Sequence, residues 1–411
     1  MGKEYLVNLK YARDDNIKIT MLTSSFPRYK GDMAGKPVYL LARELIKNDI
    51  DVDIVSPLDC RSKRYEKFDD ISVNRFQYFI PIYLQNVAYK YGIPENLRIS
   101  LLAKTEFPFF LLFFFLKGLK IAKNSDLVHV HWLICGLIAV PIKKLIHKKI
   151  VLTVRGSDLR KFPSFITRFI LDNSDIIISP HPELTNIINS LGTYNITEIR
   201  NLVDDEEFNP NLDIRCLSKE FDIRNKHVVS FIGRLNEFKD PLTFVRAIPH
   251  ILIKNKKIKF FVVGDGALKE EVLDCIQELN LQDYVYVTGF RSDINSILRA
   301  STIYAAISPI ENLWSNVIVE AMKCRVPCIV TKSGTASDIL AHKINAYLIP
   351  PKDEIALANA VLYLLNDHEM RNVLSENGIL LIKNNGFLNE EIVKNTIKIY
   401  KNLIGRKSNG D

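Results

Sequence analysis

The sequence has no apolar run long enough to cross a bilayer. Its most apolar stretch, FPFFLLFFFL at residues 107–116, falls well short of the ~20 residues a spanning helix needs. None of its six cysteines (Cys60, Cys135, Cys216, Cys275, Cys324, Cys328) forms a Cys-x-x-Cys pair. In a chain of 411 residues that argues for the reduced thiols of a cytosolic protein rather than a disulfide scaffold or a zinc site. Charge of one sign nowhere collects into a block. The formal charge of +8 suits a phosphate-bearing ligand or an anionic membrane surface, without the basic run of a nucleic-acid binder. The opening MGKEYLVNLKYARDDN is polar, so no secretory signal is expected, and Leu6 stands where a myristoylation pattern wants Ser or Thr. There is no short internal repeat and no low-complexity tract.

The length suffices for two domains, each with its own core, and the pattern divides accordingly. In the first half IKITMLTSS, VDIVSP, LVHVHW, IVLTV and DIIISP read as strands separated by helical patterns, one of them striped by Val38, Leu41, Ala42 and Leu45. A polar stretch at about 204–226 reads as a linker. The second half restarts with HVVSFIG, a helix from Pro241, IKFFVVG, a helix from Ala267, YVYVTG, a short helix near Ile294, TIYAAIS, a helix carrying Glu320, and PCIVT. A last amphipathic helix runs through Ile392, Thr396, Ile399 and Leu403, and GRKSNGD is read as a frayed tail. Such alternation predicts an α/β protein of two doubly wound, Rossmann-like domains facing a cleft, with the ligand at the carboxyl ends of the strands. The expected boundaries are 1–205 for the first Rossmann-like domain, 206–386 for the second, and 387–411 for a helix packing back on the first.

Three segments of the second half carry candidate chemistry. FIGRLNEFKDPLTFVRAI sets Arg234 and Lys239 between a strand and a helix, where a guanidinium fork and an ammonium suit a diphosphate. The plainer alternative is a pair of solvated cations. FVVGDGALKEEV supplies Gly264 and Gly266 at the next strand-to-helix turn, either for close approach to a ligand or simply for a tight turn. In ENLWSNVIVEAM, residues 311–322, polar residues open an apolar helix. Backbone amides exposed there make an anion site.

Taken in order, GRL…K, VVGDG, VTGF and SP…ENLWSNVIVEAM…VPCIV resemble the C-terminal domain of the family-four retaining glycosyltransferases of GT-B fold. FPRYKGDMAGKPVYLLAREL, DLVHVHWL, TVRGSDL and IRNLVDDEEFNP resemble that family's N-terminal landmarks, so the likeness covers nearly the whole chain. It implies a nucleoside-diphosphate sugar donor and no required metal. Arg234 and Lys239 would hold the diphosphate, Glu320 would accept from the ribose hydroxyls, and amides near Ser315 and Asn316 would meet a phosphate. Asp158 of TVRGSDL falls with the donor side, and the glycine-rich loop of Gly31 and Gly35 lines the acceptor side. The acceptor would be a glycan or a lipid-linked glycan, in cell-surface polysaccharide or glycolipid synthesis.

The pattern departs from the family in two places. The family usually has two glutamates with seven residues between them, and counting back from Glu320 gives Asn312, with Glu311 one place further; the acid role falls to one of them. Arg155 stands where the family commonly has His. A fixed cation there would pair with a charged group on the donor such as a uronic carboxylate, with an acceptor phosphate, or with Asp158. His129 and His131 share one face of a strand beside Trp132; packing, or acceptor contact by His131, is expected there rather than zinc. Asp51 and Asp53 open a strand and are read as structural. The Phe-rich run is either a core helix or a monotopic contact, with Lys104, Lys117, Lys120 and Lys123 beside anionic head groups. A sugar-nucleotide epimerase or hydrolase of the same fold, and a sugar-binding protein without turnover, are the rival functions.

Overall fold

A computed structural model describes residues 17–90, 92–155, 159, 162–211, 215–309, 316–333 and 339–405. Of the expected site residues, Asp158, Glu311, Asn312 and Ser315 lie outside them. The chain divides into two units. The first runs through Ile178 and includes Leu191–Thr197 and the chain from Thr396; the second comprises Ser179–Ser190 and Glu198–Asn395.

The first unit is built on a sheet of eight strands: β1 (Ile17–Thr23), β2 (Ile50–Pro57), β3 (Tyr65–Phe68), β4 (Ile71–Phe76), β5 (Leu127–His131), β6 (Lys149–Thr153), β7 (Ile176–Ser179) and β8 (Ile196–Glu198). Their order is β3-β4-β2-β1-β5-β6-β7-β8. Strands β1, β2, β4, β5, β6 and β7 pair in parallel, and β3 lies antiparallel on β4. β1 is central and buried along nearly its whole length, as expected of a parallel strand covered on both faces. Its helices are α1 (Lys36–Lys47), α2 (Ile93–Ile99), α3 (Leu101–Ala122), α4 (Leu133–Ile146) and α5 (Ser164–Asp172); α6 (Pro182–Leu191), which follows β7, belongs to the second unit up to Ser190. α1 buries Val38, Leu40, Ala42 and Leu45, so Leu40 takes the core position expected of Leu41.

The second unit carries a wholly parallel six-stranded sheet, β9 (His227–Ile232), β10 (Ile258–Val263), β11 (Val285–Gly289), β12 (Ile303–Ala306), β13 (Cys328–Thr331) and β14 (Tyr347–Ile349). The order is β11-β10-β9-β12-β13-β14. Alternation along each strand feeds two cores. Val229, Phe231, Phe260 and Val262 join one cluster, while Val228, Ile232, Phe261 and Val263 join the other. Its helices are α7 (Arg215–Glu220), α8 (Pro241–Leu252), α9 (Lys269–Glu278), α10 (Ile294–Ala300), α11 (Asn316–Lys323), α12 (Glu354–Asn366) and α13 (His368–Asn384), and α14 (Asn389–Leu403) closes the chain.

The described residues of the stretch expected as a linker are instead packed structure. Phe208, Leu217 and Ile223 lie in the second unit's core, and Lys323 Nζ pairs with Asp205. Strands β3, β4, β8 and β14 escaped the pattern. β4 hides Asn74 and Arg75 among its buried residues; the Arg75 guanidinium donates to Ser56 Oγ, Pro27 O and Glu66 Oε1 at 3.1, 2.7 and 2.7 Å. A buried cation held in this way through its two terminal nitrogens reads as a polar loop in a hydropathy pattern.

Candidate active site

In the second unit the strand order reverses direction at β9, which pairs with β10 on one side and β12 on the other. A crevice at the carboxyl edge of such a switch point is the usual ligand site of a doubly wound sheet. Arg234 and Lys239 follow β9 there, Arg234 exposed and Lys239 half-buried. The backbone of their loop is fixed by its neighbour. Gly233 N–H donates to Val263 O at 3.0 Å, Leu235 N–H to Asp265 O at 3.0 Å, and Leu268 N–H to Leu235 O at 2.9 Å. Lys239 N–H closes the turn on Asn236 O at 3.0 Å, and the aliphatic stem of Lys239 runs past Gly233. Asp240 then caps α8, accepting from Thr243 N–H at 3.3 Å and Thr243 Oγ1 at 2.8 Å.

Gly264 and Gly266 have a steric explanation inside the protein. A Cβ on Gly264 would lie 1.9 Å from Gly233 O, at φ +140°, and one on Gly266 would lie 2.3 Å from Leu235 O. The two glycines let the loop after β10 press against the loop carrying Arg234, so they shape the cation loop whether or not a ligand touches them.

Asn316 begins α11, and Glu320 lies half-buried one turn on. The leading amides of α11 have no partner within the helix. Burial, then the nearby Glu320 carboxylate, pushes the Cys324 thiol up to about 12, so this cysteine is an inert neighbour of Glu320. Thr331 Oγ1, at the end of β13, and Ser333 Oγ, just past it, both donate to Ser308 O at 2.6 and 3.1 Å, which ties down the segment leaving β12.

In the first unit the switch point lies between β1 and β5, and register aligns Thr23 with His131 and His131 with Thr153 across the carboxyl edge. Arg155 follows two residues after Thr153. Gly35 adopts φ +63°, and a Cβ there would meet Ser25 O at 2.1 Å; Gly31, at φ +89°, faces open space. An ion pair missed by the pattern organises this loop. Arg28 Nε donates to Asp32 Oδ2 at 2.6 Å and Nη2 to Oδ1 at 3.1 Å, while its guanidinium lies 4.7 Å from the centre of the Tyr89 ring. Burial works to raise the Asp32 carboxyl, but the hydrogen bonds from Arg28 outweigh it and hold the group below the usual range.

The two histidines of β5 differ sharply. His129 has Nδ1 2.6 Å from Tyr400 Oη and Nε2 2.7 Å from Thr153 Oγ1, so both ring nitrogens are occupied and it is no metal ligand. His131, its ring centre 4.2 Å away and fully buried, has no hydrogen-bond partner at either nitrogen among the described residues. Burial, reinforced by His129 and Arg155, keeps its imidazole neutral. Beside it Trp132 adopts φ +69°, and the Arg155 guanidinium lies 5.4 Å from the centre of the Trp132 ring. A non-glycine residue in that region is strained, and strain of this kind concentrates at functional edges. Tyr400, essential to this cluster, was not expected because one aromatic in an amphipathic helix carries no signal of its hydroxyl's destination.

Residues 34–207 match Glycosyltransferase Family 4, and residues 216–380 match Glycosyl transferases group 1. The chain is 27% identical over 302 residues to the N-acetyl-alpha-D-glucosaminyl L-malate synthase of Bacillus anthracis, covering 70% of this chain and 77% of that protein. It is 31% identical over 191 residues to the UDP-Gal:alpha-D-GlcNAc-diphosphoundecaprenol alpha-1,3-galactosyltransferase of Escherichia coli, covering 44% of this chain and 48% of that one. Among solved structures it is similar to sucrose-phosphate synthase from Thermosynechococcus elongatus, with TM-score 0.75 at 20% identity over 95% of this chain and all of the other. It is also similar to Anabaena HepE in complex with UDP-glucose, with TM-score 0.72 at 18% identity over 94% of this chain and all of that one. Likeness at that identity speaks for a shared GT-B fold.

Proposed function

The chain belongs to the family-four, group 1 glycosyltransferases of GT-B fold, and from that premise we propose a retaining enzyme that moves a sugar from a nucleoside-diphosphate donor to a lipid-linked glycan. The observation that carries the reading is the rigid cation loop of Arg234 and Lys239 at the switch point of the second sheet. The donor diphosphate sits against Arg234 and Lys239, its ribose hydroxyls donate to Glu320, and the leading amides of α11 at Asn316 meet a phosphate. Glu311 or Asn312 contacts the sugar.

As the C1–O bond to the diphosphate breaks, its electron pair goes to the phosphate oxygen. Fixed cations aimed at that oxygen stabilise the charge that develops. The acceptor hydroxyl bonds to C1 from the face the diphosphate leaves, and its proton passes to the departing phosphate oxygen. No carboxylate is assigned as base, and no metal is required, because Arg234 and Lys239 supply the countercharge. The acceptor lies on the first unit's edge, beside Gly31, Gly35 and His131. Arg155 selects an anionic group on donor or acceptor.

The work is placed at the cytoplasmic face of a membrane, in polysaccharide or glycolipid synthesis. Support comes from six free cysteines and from relatives such as the E. coli enzyme, whose name specifies a diphosphoundecaprenol-linked acceptor. Incubation with a panel of sugar nucleotides and a polyprenyl-diphosphate-linked glycan tests it. Glycosylated lipid with a retained anomeric configuration, formed in the presence of a chelator, is expected. Sugar released or isomerised without an acceptor would point to a hydrolase or epimerase, and donor binding without product to a protein that has lost turnover.

A further inference from the structure

α3, LLAKTEFPFFLLFFFLKGLKIA, is apolar around its whole circumference. Such a helix is ordinarily buried or membrane-spanning, yet no helix among the described residues is long and apolar enough to cross a bilayer. The structure resolves this by splitting the helix. Ala103, Glu106, Phe110, Phe114, Gly118 and Ala122 form the buried stripe at helical spacing, with Phe114 stacked on Phe76 and Phe110 edge-on to Tyr78. The opposite face presents Phe109, Leu112, Phe113 and Leu116, between 41% and 50% exposed, and Leu101 at its start is 79% exposed.

The segment before α3 exposes apolar residues of its own. Asn86 N–H donates to Glu106 Oε2 at 2.8 Å, which fastens the 77–88 segment to α3, and that segment exposes Ile80 and Tyr83. Charge brackets the apolar face. Lys104 lies before it, and Lys120 and Lys123 lie after it, all exposed. The only acid of α3, Glu106, is buried. Among the described residues none of these lysines pairs with a carboxylate. Neighbouring Lys117 has its ammonium pushed down by burial and then by Lys120, which marks a local excess of positive charge.

We propose that the outer face of α3 docks on an anionic lipid bilayer, with Phe109, Leu112, Phe113 and Leu116 entering the acyl boundary and Lys104, Lys120 and Lys123 on the head groups. An apolar centre with unpaired lysines at both ends matches that surface in polarity and charge. A second copy of the chain would bring the same lysines together and repel them. The proposal rests on the lipid-linked acceptor reading only for its purpose, since docking itself needs no substrate.

The test is co-sedimentation of the full chain with vesicles of phosphatidylcholine alone or mixed with phosphatidylglycerol. Binding to the mixed vesicles is expected, with little to the neutral ones, and weakening with salt. Lys104→Glu/Lys120→Glu/Lys123→Glu should lower partitioning about a hundredfold or more, and Phe109→Ser/Leu112→Ser/Phe113→Ser/Leu116→Ser should abolish it. Unchanged unfolding midpoints would show that both variants are folded. No binding to the anionic vesicles, or binding that both folded variants retain, overturns the proposal. A dimer in solution that the serine variant converts to monomer overturns it too, by naming a second copy as the occupant. Transfer to a detergent-dispersed acceptor without vesicle binding would sink only the docking. Vesicle binding without transfer would sink only the catalytic reading.

Discussion

The Tyr400 hydroxyl of α14 lies 2.6 Å from Nδ1 of His129 on β5, a contact made across 271 residues of chain. Both groups are fully buried, so neither finds water if the other is removed. Tyr400→Phe should therefore cost about 1–3 kcal/mol, the cost of a buried polar atom left without a partner. Urea denaturation checks this. In a double-mutant cycle with His129→Phe the two losses should fall short of additivity, because the second substitution removes the atom stranded by the first.

Acid should unfold the protein early. His129 is pushed down to about 3 and His181 to about 4, in each case by burial and then by a nearby guanidinium, and His131 lies well below its ordinary value. Above the ordinary imidazole value neither folded nor unfolded chain holds these protons, and the three contribute their full stability. As pH falls below it, the unfolded chain binds protons that the folded chain refuses, so stability is lost at about 1.4 kcal/mol per pH unit for each group. A denaturation series from about pH 6 to about pH 4.5 should show this slope, reduced by about one proton in His131→Phe.

At neutral pH the same His131→Phe substitution separates stability from function. An imidazole with neither nitrogen bonded is a cost to the fold, so an apolar ring of similar shape should leave stability equal or raise it by about 1–3 kcal/mol. Transfer should nonetheless fall, by at least about tenfold if His131 bonds an acceptor hydroxyl worth ~1.4 kcal/mol. A stable variant with unchanged kinetics would remove His131 from the acceptor side.

Arg234→Ala and Lys239→Ala should each lower kcat by about 10²–10³, the loss typical of one fixed group opposite developing charge. With Arg234 exposed, its unfolding free energy should stay within about 0.5 kcal/mol of the parent. Arg155→His calls for a donor panel rather than one rate. A shift in preference from charged to neutral sugars is the expected result, and an unchanged preference removes Arg155 from selection.

Glycine substitutions should rank by what a methyl would meet. Gly264→Ala combines φ +140° with an overlap on Gly233 O, so it should disturb the cation loop, depressing both the melting temperature and donor affinity. Gly31→Ala, at φ +89° with nothing within 4 Å, should cost only backbone strain of about 1–3 kcal/mol.

Much of the architecture was legible because parallel, doubly covered strands such as β1 and β10 are short runs of apolar and β-branched residues broken by a single lysine. Edge elements were not. YEKF of β3 alternates exposed and half-buried residues, and hydropathy cannot separate it from a loop. The placement of Arg234 and Lys239 between β9 and α8, and of Glu320 on α11, was legible because clear strand and helix patterns bracket them. The purpose of Gly264 was not, since a steric need against Gly233 O exists only once two distant loops meet. Tyr400 and the Arg28–Asp32 pair were illegible for a related reason: their roles depend on partners that hydropathy does not encode.

α14 opens with Asn389, whose side-chain amide donates to Val203 O at 2.7 Å in the second unit, and it ends within the first, where Tyr400 completes the His129 cluster. During synthesis the sheet holding His129 emerges long before residue 400 is made. Its polar centre must wait, half-satisfied, through the translation of the whole second unit. Domains usually mature in the order they leave the ribosome, but here the earlier one is finished last.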